Sequence, residues 1–113
     1  MPHFINEYTD EQGKSPYAEW PASLRDARAK AKVILQIDRM ELGLFGDSGP
    51  IGGGLSELRI HYGPGYRVYY GRETEDTLLV LCGGNKVTSK NALRGIFRDG
   101  NGKMRFSVSF IFN

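Results

Sequence analysis

The sequence predicts an α+β fold in which a helix packs on one face of an antiparallel sheet. Three observations carry the expectation. Apolar residues recur every three or four positions across residues 22–42, the period of an amphipathic helix. From Leu55 the period drops to two, the period of a strand with one buried face. The run Thr77-Leu-Leu-Val-Leu-Cys82 is apolar on both faces, which suits a central strand. Residues 55–62, 66–71 and 77–82 are therefore expected as adjacent antiparallel strands, within a single domain spanning 1–113.

Taken in order, residues 1–15 are polar and punctuated by Pro and Gly, with one apolar pair at Phe4-Ile5. Trp20 is an anchor for the first helical residues. Ser23 is a candidate cap, with Asp26 three positions on. Leu24, Ala27, Ala31, Ile34, Leu35 and Ile37 form the apolar stripe; Arg25, Arg28, Lys32 and Arg39 lie opposite, and Gly43 stops the helix. A glycine-rich loop follows through Gly54. Leu58, Ile60 and Tyr62 then share one strand face, and Glu57, Arg59 and His61 the other. After the Gly63-Pro64-Gly65 turn, Tyr66, Val68 and Tyr70 alternate with Arg67 and Tyr69. Gly83-Gly84-Asn85-Lys86 closes the third strand. Beyond it, residues 89–97 suit two helical turns with Ser89 as cap, and Asp99-Gly-Asn-Gly102 a reversal. Met104, Phe106, Val108, Phe110 and Phe112 predict a strand over 103–112, pairing with the sheet or with a second copy to give a dimer.

Composition narrows the function classes. Hydrophobic residues make up 40% and charged residues 25%, which argues against a disordered chain. No apolar run approaches a membrane span, and the first ten residues lack a signal-peptide pattern, so a cytoplasmic location is expected. The single cysteine, Cys82, leaves no internal disulfide and reads as core rather than nucleophile. His3, His61 and Cys82 are too few soft ligands for a structural zinc site, and no metal or cofactor is expected. Gly52-Gly-Gly54 lacks the Lys-Ser/Thr continuation of a phosphate loop. The net charge of +2 is uneven: residues 1–81 hold 9 Lys/Arg against 12 Asp/Glu, residues 82–113 hold 6 Lys/Arg against Asp99 alone. The basic final third suits a polyanion or an acidic partner.

With apolar residues of the strands turned to the helix, the other face presents Glu57, Arg59, His61, Arg67 and Tyr69, with Lys86 just beyond. Such a set suits RNA. Cations offset phosphate charge, an aromatic ring stacks on a base, and a carboxylate or imidazole takes the proton of a 2′-hydroxyl. Internal attack of that oxygen on phosphorus requires in-line positioning, charge stabilisation and proton transfer, and no metal. The same alternation is also that of a solvated sheet face.

The string Gly52-Gly-Gly-Leu-Ser-Glu-Leu-Arg-Ile-His-Tyr-Gly-Pro-Gly-Tyr-Arg-Val-Tyr-Tyr70, followed by Leu79-Val-Leu-Cys-Gly-Gly-Asn-Lys86, resembles the HigB-like, "addiction module killer" toxins of the RelE/ParE superfamily. The stretch from Trp20 to Gly43 and the Phe45-Gly-Asp47 turn are similar too, so the likeness runs from about Tyr17 to Thr88. It implies N-terminal helices on a twisted antiparallel sheet and a toxin of a type II toxin–antitoxin system. A helix-turn-helix antitoxin is the implied tight partner. The implied activity is a metal-independent endoribonuclease that cuts messenger RNA on the ribosome and so halts translation and growth. By position, Arg59, Arg67 and Lys86 match the family's cationic residues. Glu57 and His61 are acid–base candidates, and Tyr69 and Lys90 candidate RNA contacts. Two alternatives stand beside it: a ParE-like poison of DNA gyrase that cuts nothing, and an inactive relative that only binds antitoxin. Residues 94–113 depart from the family's charged, Ala-rich helix.

Overall fold

The computed structural model describes residues 3–9, 12–85, 96–98, 100 and 104–106. In chain order the elements are β1 (Phe4–Glu7), α1 (Pro16–Ser23), α2 (Ala27–Glu41), β2 (Ser48–Gly52), β3 (Leu55–Ile60), β4 (Tyr66–Arg72), β5 (Thr77–Asn85), β6 (Ile96–Arg98) and β7 (Met104–Phe106). Strands β1 to β5 form one mixed sheet in the order β1-β5-β4-β3-β2. The β2 to β5 pairs are antiparallel, and β1 runs parallel to β5 with Phe4 opposite Thr77.

The helical region divides in two. Ser15 caps α1 by accepting from the Ala18 N–H, and Pro16 takes the first helical position, where its missing donor costs nothing. Ser23, expected as a cap, instead ends α1. Asp26 caps α2, its Oδ1 accepting from the N–H groups of Arg28 at 2.9 Å and Ala29 at 3.2 Å. At the other end the Gly43 N–H donates to the Met40 carbonyl and the Leu44 N–H to the Arg39 carbonyl, a Schellman closure. The stripe that faces the sheet is Ala29, Val33, Ile37 and Met40. The stripe expected from sequence was offset: Ile34 and Leu35 lie on the exposed side.

The three expected strands are present, and the helix-facing side carries the residues assigned to it. Leu58, Ile60, Tyr66, Val68, Tyr70, Leu78 and Val80 close on α2 and on Tyr17 of α1. Two strands of the five-stranded sheet were not expected. β1 is short and largely exposed, and β2 contains Gly49, Pro50 and Gly52, residues that fit an edge strand and weaken any strand signal. Gly52, Gly53 and Gly54 all have positive φ, which is what lets so tight a turn join β2 to β3. A bulge at Leu81 separates the Tyr69–Cys82 pairing from the Tyr70–Val80 pairing, so Cys82 shares the Tyr69 side and Gly83 lies opposite Val68. Trp20 sits against Gly83. A Cβ there would stand 2.5 Å from the indole Cε3 and Cζ3 and 3.0 Å from the Arg67 carbonyl oxygen.

The tail differs from expectation. Ile96–Arg98 is strand rather than helix, and it pairs antiparallel with Met104–Phe106. The described part of the expected 103–112 strand thus joins its own hairpin, not the five-stranded sheet. Ser89 and residues 107–112 lie outside the described residues. Among those described, no helix is long and apolar enough to cross a membrane.

Candidate functional site

Five side chains form a line in which two guanidiniums and two carboxylates alternate and an imidazole closes the end; it starts at Arg67 and Glu57, on the sheet face opposite the helices, and ends at Asp47 and His61 beside α2. Cross-strand pairing sets Arg59 of β3 opposite Arg67 of β4. Two like charges at such positions repel unless a counter-charge joins them. Glu57, two residues before Arg59 on the same strand face, supplies it. Its Oε1 accepts from Arg59 Nε at 2.9 Å and from Arg67 Nη1 at 2.7 Å. The Glu57 side chain is only 11% exposed, whereas each arginine keeps about a third of its surface open.

Arg59 turns its other edge to Asp47, in the loop just before β2. Its Nη1 donates to Asp47 Oδ1 at 2.8 Å, and its backbone N–H donates to the Asp47 carbonyl at 2.8 Å. Asp47 Oδ2 lies 2.5 Å from His61 Nε2, at the end of the line. The order is Arg67–Glu57–Arg59–Asp47–His61. Hydrogen bonds first from His61 and then from Arg59 hold the Asp47 carboxyl below its ordinary range. Bonds to Asp47 and Glu57 hold the Arg59 guanidinium more firmly in its charged form. His61 is the open end, its side chain 73% exposed.

A groove runs from this end of the line along α2, with Lys32, Gln36 and Arg39 on the helix and Asp47, Arg59 and His61 across from them. The Lys32 ammonium stands 5.2 Å from the Tyr62 ring centroid. Thus Arg59, Arg67, Glu57 and His61, four of the residues singled out from sequence, belong to one network. Tyr69 does not serve as a stacking platform: it is 2% exposed and packs within the fold, which corrects its assignment as an RNA contact. Lys86 and Lys90 lie outside the described residues. Asp47 was missed. Its partners are 12 and 14 positions away, and only the pairing of β2 with β3 brings them together. Cys82 is buried, and burial pushes its thiol up to about 12, as befits a core residue. Among the described residues, no three His, Cys, Asp or Glu side chains gather as a metal site would require.

A segment of 78 residues, 69% of the chain, is 38% identical to an uncharacterized protein of Haemophilus influenzae, of which it spans 79%. The chain belongs to that protein's family. No family model matches the sequence.

Proposed function

We propose that the protein is a HigB-like toxin with a RelE/ParE-type fold that cleaves messenger RNA on the ribosome. The observation that carries this reading is the juxtaposition of Arg59 and Arg67, cross-strand neighbours held by one shared carboxylate oxygen with an exposed imidazole at the end of the same network. Two guanidiniums fixed side by side match a phosphodiester, whose charge grows as the 2′-oxygen attacks phosphorus. Arg59 and Arg67 bind and stabilise that phosphate. Glu57 keeps them apart and oriented, and His61 takes the 2′-hydroxyl proton. Lys86 adds a further phosphate contact, or protonates the leaving oxygen. Two helices packed on a mixed sheet, an α+β arrangement, support this reading at the level of fold class. A helix-turn-helix antitoxin is the partner that holds the toxin silent between episodes of stress.

The test is induction of the chain in a bacterial host, followed by primer extension on abundant transcripts. New 5′ ends within translated regions are expected, and they should vanish in Arg59→Ala and Arg67→Ala. Both side chains sit outside the apolar core, so the folded state should change little. Loss of one transition-state charge partner should lower cleavage by roughly 10²–10³-fold. Intact transcripts together with accumulating gyrase–DNA complexes would replace this reading with the gyrase-poison one. Intact transcripts and normal growth would leave antitoxin binding alone.

A further inference from the structure

Asp47 uses its two carboxylate oxygens separately: Oδ1 accepts from Arg59 Nη1 and Oδ2 faces His61 Nε2. Its backbone carbonyl is tied to the Arg59 N–H as well, so the loop carrying the carboxylate is pinned to β3. A carboxylate only accepts, so the imidazole nitrogen facing it carries the proton. In the neutral imidazole the second nitrogen, Nδ1, is then left with the lone pair, on a largely exposed ring. Glu57, by contrast, is nearly enclosed and gives one oxygen to both arginines.

We infer that Asp47 is a positioning residue: it fixes His61 as the Nε2–H tautomer and leaves Nδ1 as the proton acceptor of the site. Glu57 is the clamp for the two arginines and not the base. This inference rests on the nuclease reading for the use of the base, but the tautomer itself can be read without any cleavage.

Asp47→Asn separates the possibilities sharply. An amide offers one acceptor oxygen and two N–H donors. Arg59 can only donate, so it claims the oxygen, and the amide NH2 then faces His61. The imidazole must now accept at Nε2, and its proton moves to Nδ1, where the base was. At about pH 8, above the ordinary imidazole range, long-range ¹H–¹⁵N spectra of the folded chain should show Nε2–H for His61 in the parent. The same spectra should show Nδ1–H in Asp47→Asn. In transcript cleavage on translating ribosomes, kcat should fall by about 100-fold with KM within about threefold. Asp47→Glu, again a carboxylate, should restore the Nε2–H tautomer and at least about tenfold of the lost turnover. The same tautomer in parent and Asp47→Asn would overturn the inference, and so would parental turnover by Asp47→Asn. A parent that cuts no RNA strikes the nuclease reading instead, and the tautomer pair still decides whether Asp47 sets His61.

Discussion

Arg59 and Arg67 face each other across β3 and β4 and donate to the same oxygen, Oε1 of Glu57. A sheet gains nothing from two cations placed opposite each other, so Glu57 has a structural duty as well as a chemical one. Glu57→Ala should lower the unfolding free energy by about 1–2 kcal/mol, less than for a fully buried pair because the arginines remain partly open to water. Urea titrations at low and high salt check this. The deficit should shrink as salt screens the exposed guanidiniums. A deficit unchanged by salt would mean the loss comes from packing.

Acid sensitivity should depend on Asp47. Its folded carboxyl titrates below its ordinary value, chiefly through the His61 bond and then the Arg59 bond. A depressed carboxyl contributes stability that is present above its unfolded value, near pH 4, and is lost as pH falls through the folded value. Thermal melts should therefore decline below about pH 4, and Asp47→Asn should melt below the parent at pH 7 and decline less in acid, so that the two converge as pH falls. An identical acid profile in the variant would show that this exposed carboxylate does not contribute.

The alkaline limit should come from two buried groups. Tyr17 is pushed up to about 12 by burial and then by Glu7 and Asp38, and Cys82 to about 12 by burial alone. Both prefer their neutral forms in the fold, and both ionise sooner in the unfolded chain. Their contribution is complete below the unfolded values, about 8.5 for the thiol and 10 for the phenol, and is lost as pH rises toward 12. Tyr17→Phe should reduce the fall in melting temperature across that window. At pH 8 Cys82 should react with an aromatic disulfide reagent only after unfolding; fast labelling of the native chain would contradict its burial.

The Trp20 seat admits no side chain at Gly83. Any Cβ there meets the indole on one side and the Arg67 carbonyl on the other, and backbone cannot swing away as a flexible side chain does. Gly83→Ala should cost about 1–3 kcal/mol, the range for an overpacked core. Combining it with Trp20→Leu should recover part of the loss, a non-additivity that chemical denaturation can measure.

Much of this was legible in the chain. The alternation from Leu55 to Tyr70 places Glu57, Arg59 and Arg67 on one face before any coordinates are known, because a two-residue period has only one way to divide a strand. The helix was harder. Ile34 and Leu35 fit a three-and-four pattern as well as Val33 and Ile37 do, and only contact with the sheet shows which stripe is buried. β1 and β2 escaped notice for different reasons. Phe4–Glu7 has too few residues to show a period, and Ser48–Gly52 is built from residues that disfavour strands. Asp47 was hidden with β2, since a carboxylate in a loop means little until its neighbours across the sheet are known.

The parallel pairing of β1 with β5 sets Phe4 opposite Thr77, the longest reach along the chain of any pairing in the sheet. The other four strands follow one another through short connections, so they can associate early, whereas β1 must wait until nearly the whole chain has found its place. It lies at an edge and is largely exposed. It should therefore be the first strand to detach in the native protein, with the rest of the sheet still formed. Native-state hydrogen exchange should show the amides bonded between β1 and β5 exchanging well before those of Val68, and shortening the chain from its start should bring on a partly opened state before it abolishes folding.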